Sequence, residues 1–184
     1  MDRTSPSGPV PVVWVGVEDD WVVTAVHYSR RILPSGGAVG LFYEDLESGA
    51  AVTSRGRTIT EADVVLFAGL TGDYVELHTN EEYAKQTMFG RRIAHGALVV
   101  SISIGLSTRT NFLEDTIVAF AGIDRLRFVA PVFIGDTIHV VKKVAERQDM
   151  GARPGVVVFE TRVLNQRDEL VLIYNDKLLV KKRT

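Results

Sequence analysis

The sequence predicts an α+β fold in which one antiparallel sheet wraps a single apolar helix, and three observations predict it. Residues Ala97 to Leu106 carry Leu98, Val99, Ile102, Ile104 and Leu106, apolar on most sides, as in a helix enclosed by other structure. From Thr116 onward the chain divides into four runs rich in Val, Ile and Phe, separated by turn residues. At 184 residues and 46% hydrophobic composition, it suits one such domain with an appendage rather than two domains.

Taken in order, Met1 to Pro9 combines Ser, Pro and Gly with few apolar groups and reads as a mobile tail. Pro11 to His27 is rich in Val and Trp and reads as extra strands, closed by the turn residues Pro34 to Gly37. Residues 1–42 are therefore expected to form an N-terminal extension, and residues 43–184 the main domain. Ala51 to Ile59 leads to Thr60, which can cap a short helix from Glu61 to Leu70, with Asp63 completing a capping box and Gly72 ending the helix. Glu81 to Thr87 reads as a second short helix capped by Asn80. After the apolar helix come strands at Thr116 to Phe128, Thr137 to Arg147, Gly155 to Asn165 and Leu170 to Lys181. Gly135-Asp136 and Gln166-Arg167-Asp168 supply turns between them.

Composition removes several classes of function. A formal net charge of -2 provides no basic face for a polyanion, so nucleic acid is not an expected partner. With no cysteine there is no disulfide, thiolate metal site or cysteine nucleophile. No apolar run approaches the ~20 residues of a membrane span, and the polar opening lacks the apolar stretch of a signal peptide, so a cytoplasmic protein is expected. No histidine pair has metal-ligand spacing with a third ligand, and no metal is expected. Gly69 and Gly72 are not followed by Gly-Lys-Ser/Thr, which excludes a nucleotide loop.

Three segments stand apart: Leu70-Thr-Gly-Asp-Tyr-Val-Glu-Leu-His78, Arg92-Ile-Ala-His-Gly96 at the head of the apolar helix, and Phe128 to Asp136. Together they resemble the MaoC-like dehydratases and (R)-specific enoyl-CoA hydratases, over Tyr43 to Lys181. The resemblance implies a hot-dog fold, an acyl-CoA thioester substrate, no cofactor, and a homodimer or higher homo-oligomer. The family motif is roughly Gly-Asp-x-Asn-Pro-hydrophobic-His, and Gly72, Asp73, Leu77 and His78 match it in identity and spacing. It implies that Asp73 and His78 work as a pair on the water that is added. Val75 and Glu76 stand where Asn-Pro is usual, and Ile104 stands where a small polar residue is frequent, changes that bear on substrate range.

The chemistry can also be argued from the residues. Hydrating a conjugated thioester needs a base for the water at C3, an acid for C2, and donors for charge on the thioester oxygen. Asp73 and His78 supply proton-handling groups, and Gly72 lets the chain turn sharply and come close to a ligand. The free amides at the start of the apolar helix can hold an oxyanion, with Gly96 as the donor. His95 is either a supporting residue near the substrate or a packed cap. Against these stand plainer readings: an isolated Asp-x4-His is commonly a turn cap, and only its neighbours favour catalysis. His27 and His139 read as structural or exposed, Arg91 and Arg92 as facing solvent, and Arg125, Arg127, Lys142 and Lys143 as exposed charge on strands. A hot-dog thioesterase and a non-catalytic acyl-thioester-binding subunit are the alternative functions.

Overall fold

The four long strands form because Val, Ile and Phe recur with a period of two, placing every second side chain on one face. The computed structural model describes residues 40–183, so the expectations for Met1 to His27 lie outside the described residues. Within them, β1 (Ala51–Thr53) and β2 (Arg57–Thr58) precede α1 (Glu61–Thr71), α2 (Glu76–Thr79) and α3 (Glu81–Ala84). The helix α4 (Gly96–Thr108) follows, then β3 (Ile117–Phe128), β4 (Thr137–Gln148), β5 (Gly155–Leu164) and β6 (Leu170–Val180). The antiparallel sheet has the order β1-β4-β5-β6-β3, with β2 also paired to β4. The α+β reading therefore holds, and strand limits agree within a residue or two.

Local signals act as expected at the helix ends. Thr60 accepts from the Asp63 amide while Asp63 returns a bond to the Thr60 amide at 2.8 Å. Gly72 ends α1 in the left-handed region at φ 78°, donating to the Ala68 carbonyl at 2.8 Å. Asn80 caps α3, which is shorter than the sequence indicated because Lys85 onward closes as turns. The sequence reading missed α2, a single turn whose first residue follows Val75, a cap position with no side-chain acceptor in use.

The core lies between α4 and the concave face of the sheet. Leu98, Val99, Ile102 and Leu106 meet Ile59, Val64, Ile138, Val140, Val163, Leu172 and Tyr174. A second cluster around Leu46, Phe112, Phe159 and Leu178 closes the far end. The sequence predicted a helix enclosed on most sides, but Ala97, Ser101, Gly105 and Thr108 remain exposed on one stripe. Small residues on that stripe present too little apolar surface to draw a cover from this sheet. The strand β3 pairs with β6 on one side, and its Ile117, Val118 and Phe120 stay about half exposed. No helix among the described residues is long and apolar enough to cross a membrane.

One strand residue departs from its expected place. Lys142 is not surface charge but buried, because the inward series of β4 runs Ile138, Val140, Lys142, Val144. His139 lies outside that series, 3.6 Å from Asp168.

Candidate active site

Three of the residues singled out in the sequence, Asp73, His78 and His95, converge, with a ligand atom of each within 4.8 Å of the others. The convergence is built from local pieces. Gly72 turns the chain out of α1, and an added Cβ there would meet nothing within 4 Å, so the need is for positive φ rather than for space. Asp73 follows in an exposed loop, its Oδ1 accepting from the Val75 amide at 3.4 Å. One turn of α2 then brings His78 back toward the start of α4.

The segment before α4 is pinned to the motif Phe128 to Asp136. Ile93 bridges Phe133, and the Ala94 amide donates to the Val132 carbonyl at 2.8 Å. The Ile93 carbonyl lies 2.9 Å from His78 Nδ1. A carbonyl can only accept, so Nδ1 carries the proton and Nε2 holds the free lone pair in the neutral ring. His95, 2% exposed, places Nε2 3.0 Å from the Asp73 carbonyl, which by the same rule makes Nε2 the donor. The His95 ring stacks on His78 at 4.0 Å between centroids and packs on Phe67 at 5.1 Å. Its Nδ1 is buried and, among the described residues, has no hydrogen-bond partner. His95 therefore joins the two proposed proton-handling residues, holding one through its backbone and the other through its ring.

Gly96 opens α4, and its amide belongs to the first turn, where no carbonyl of the helix can reach it. An alanine Cβ at this position would come within 2.7 Å of the half-exposed Phe128 ring, which would have to move aside to admit it. The amide end of α4 carries the positive end of the helix dipole, which favours an anionic oxygen there.

Two sequence readings need correction. Arg92 does not face solvent freely: Nη1 and Nη2 bind Glu61 at 2.8 Å each, and Nε binds Glu81 at 3.0 Å. It ties α1 and α3 to the strand-like segment that carries Ala94 and His95, and its hydrogen bond holds the Glu61 carboxyl below the usual value. Nor does the histidine pair lack a third potential ligand, since folding adds Asp73 to His78 and His95. Sequence spacing hid this because His95 lies beyond α2 and α3. With His78 Nδ1 and His95 Nε2 already hydrogen-bonded, the Asp73 carboxylate and the lone pairs of His78 Nε2 and His95 Nδ1 are left to meet a ligand. Arg91 lies over the Phe133 ring at 3.9 Å, and the Glu76 carboxylate accepts from Asn80 Nδ2 at 3.0 Å.

Comparison with known proteins agrees with this architecture. The model of the MaoC like domain matches residues 46–166. An (R)-specific enoyl-CoA hydratase of Rhodospirillum rubrum is 43% identical over 98 residues, 53% of this chain and 65% of that protein. A MaoC-like dehydratase structure from the same organism superposes with a TM-score of 0.71 at 31% identity, covering 79% of this chain and 99% of that one. A Mycobacterium tuberculosis protein described as a double hotdog fold, at 21% identity and a TM-score of 0.69 over 78% of this chain and 45% of that one, shows the hot-dog fold. The chain spans 40% to 65% of the length of the curated relatives that it matches. The matched domain covers more than half of the chain, and the chain belongs to the MaoC-like dehydratase family.

Proposed function

We propose that the protein is a hydro-lyase that adds water to a trans-2-enoyl-CoA to form the (R)-3-hydroxyacyl-CoA, or removes it in the reverse direction. The observation that carries this reading is the placement of the Asp73 carboxylate and of His78 Nε2, with Nδ1 held by the Ile93 carbonyl, beside the free amide end of α4. In hydration, His78 Nε2 takes a proton from water as the water oxygen bonds to C3, and Asp73 orients that water. The C2–C3 π electrons move toward the thioester oxygen, where the Gly96 amide stabilises the negative charge. Return of a proton to C2 from the imidazolium regenerates the neutral ring, so one water is consumed and both residues end as they began. No metal or redox group is needed for that balance. Relatives named (R)-specific enoyl-CoA hydratase and 3-hydroxybutyryl-CoA dehydratase support the substrate class.

The test is to mix the protein with crotonyl-CoA and longer enoyl-CoAs and follow double-bond absorbance and free thiol separately. Loss of the double bond without thiol is expected. Thiol release would indicate a thioesterase, and neither change would indicate a binding subunit.

A further inference from the structure

Both histidines of the candidate site are held as metal-ligating histidines are held. A ligating imidazole gives one ring N–H to a carbonyl or carboxylate, which fixes its tautomer and leaves the lone pair of the other nitrogen for the metal. His78 gives Nδ1–H to the Ile93 carbonyl at 2.9 Å and keeps the Nε2 lone pair. His95 gives Nε2–H to the Asp73 carbonyl at 3.0 Å and keeps the Nδ1 lone pair. The Ile93 carbonyl belongs to backbone pinned at Phe133, and the bond from His95 also ties down the residue that carries the third donor, the Asp73 carboxylate. A ligand atom of each of the three lies within 4.8 Å of the others.

A second observation is independent of this clustering. His95 is 2% exposed, and its Nδ1 is a buried polar atom with no hydrogen-bond partner among the described residues. With Nε2 protonated toward Asp73, Nδ1 is a bare acceptor, which only a donor or a cation satisfies. The hydration chemistry makes no use of it, since that employs His78 Nε2 and the Asp73 carboxylate.

We propose that Asp73, His78 and His95 form a binding site for a divalent transition-metal ion, Zn²⁺ above all, and that the bound ion blocks hydration. Two neutral imidazole nitrogens and one carboxylate oxygen are ordinary zinc donors, and three protein ligands leave a fourth position for water. Two imidazoles among three donors disfavour Mg²⁺ and Ca²⁺, which take oxygen. Tetrahedral zinc with bonds of ~2.0–2.1 Å holds its donors roughly 3.3 Å apart, so closing on the ion asks for movement on the order of 1–2 Å. Buried His95 is the fixed ligand. Asp73, in an exposed loop, and His78, partly exposed on the single turn α2, supply the movement, and the rings now stacked at 4.0 Å between centroids turn apart. The ion then occupies the nitrogen that takes the proton and the carboxylate that orients the water. The blockade rests on the hydro-lyase reading of the site, whereas the metal site does not.

The experiment titrates full-length, chelator-treated protein with ZnCl₂ by calorimetry in a weakly coordinating buffer. One ion per chain is expected. His95→Phe and Asp73→Asn each remove a ligand, so each should weaken binding by more than the about 10- to 100-fold that loss of an outer partner costs. His27→Gln/His139→Gln, which removes the other two of the four histidines, should bind zinc as the wild type does. Co²⁺ in place of Zn²⁺ should give the visible d–d bands of a four-coordinate site in the wild type and lose them in His95→Phe. Wild-type binding weaker than ~1 mM would overturn the site, and that result needs no variant to fold. Equal binding by the wild type and both site variants would mean an adventitious ion only, and would overturn it as well. Hydration of crotonyl-CoA should fall by half at the calorimetric Kd and return when EDTA is added. Zinc bound with hydration unchanged would overturn the blockade. If metal-free protein hydrates no enoyl-CoA, the hydro-lyase reading and the blockade fail together, while calorimetry and the cobalt spectrum still decide the metal site.

Discussion

Replacing His95 by Phe should separate stability from turnover. Phe retains the volume and the aromatic contacts with His78 and Phe67, and removes both ring nitrogens. The bond lost, from Nε2 to the Asp73 carbonyl, is worth about 0.5–1.5 kcal/mol net, and the exposed loop lets that carbonyl turn to water. The unpartnered Nδ1 costs about 1–3 kcal/mol while it stays buried, and the substitution abolishes it. The balance lies between about -0.5 and about 2.5 kcal/mol in favour of the variant, a melting temperature from ~2 °C lower to ~10 °C higher. Turnover should move the other way. With Asp73 untethered, the water it is proposed to orient would be misplaced, and a shift on the order of 1 Å can cost about 100-fold. Thermal melting followed by fluorescence and enoyl-CoA hydration on the same preparation measure both quantities. A fall in melting temperature with turnover preserved would refute the reasoning and make His95 a packing residue alone.

Four further outcomes are expected. Asp73→Asn and His78→Asn should each lower kcat by about 100- to 10,000-fold with little change in melting, and the double variant should lose less than the product of the two, as steady-state kinetics will measure. Gly96→Ala should cost about 1–3 kcal/mol because its Cβ meets the Phe128 ring at 2.7 Å, and Phe128→Leu in the same chain should restore the melting temperature. Val75→Asn with Glu76→Pro places a cap and a rigid first residue on α2, so chemical denaturation should report a gain of about 1 kcal/mol, while relative rates among enoyl-CoAs shift without loss of activity. The exposed Ile117, Val118 and Phe120 of β3, with Leu66, Leu70 and Tyr74 near the Asp73 loop, call for a cover from a second copy. Light scattering at micromolar concentration should therefore give a dimer or larger mass, and a monomer would count against it.

Much of the architecture is written in short-range patterns. The Thr60–Asp63 box and the left-handed Gly72 mark α1 because capping depends on residues within a few positions of one another. The four strands are legible because period-two alternation is a property of the strand itself. Asp73, His78, His95 and Gly96 could be nominated because two short motifs carry them. The single turn α2 was not legible, since four residues without a capping side chain carry no periodic signal.

What the tertiary structure decided is how these pieces meet. The direction of the His78 lone pair depends on the Ile93 carbonyl, fifteen residues away, and the tether from His95 to Asp73 spans twenty-two. Arg92, read as a surface charge, became a clamp on two helices only when the chain brought Glu61 and Glu81 to it. Lys142 reads as one more lysine in Lys-Lys until the register of three strands sets Asp176 and Thr161 against it. Capping, alternation and turn formation are settled by neighbours along the chain. Proton positions, buried charge and the shape of a cavity are settled by neighbours in space, which a linear sequence specifies without displaying.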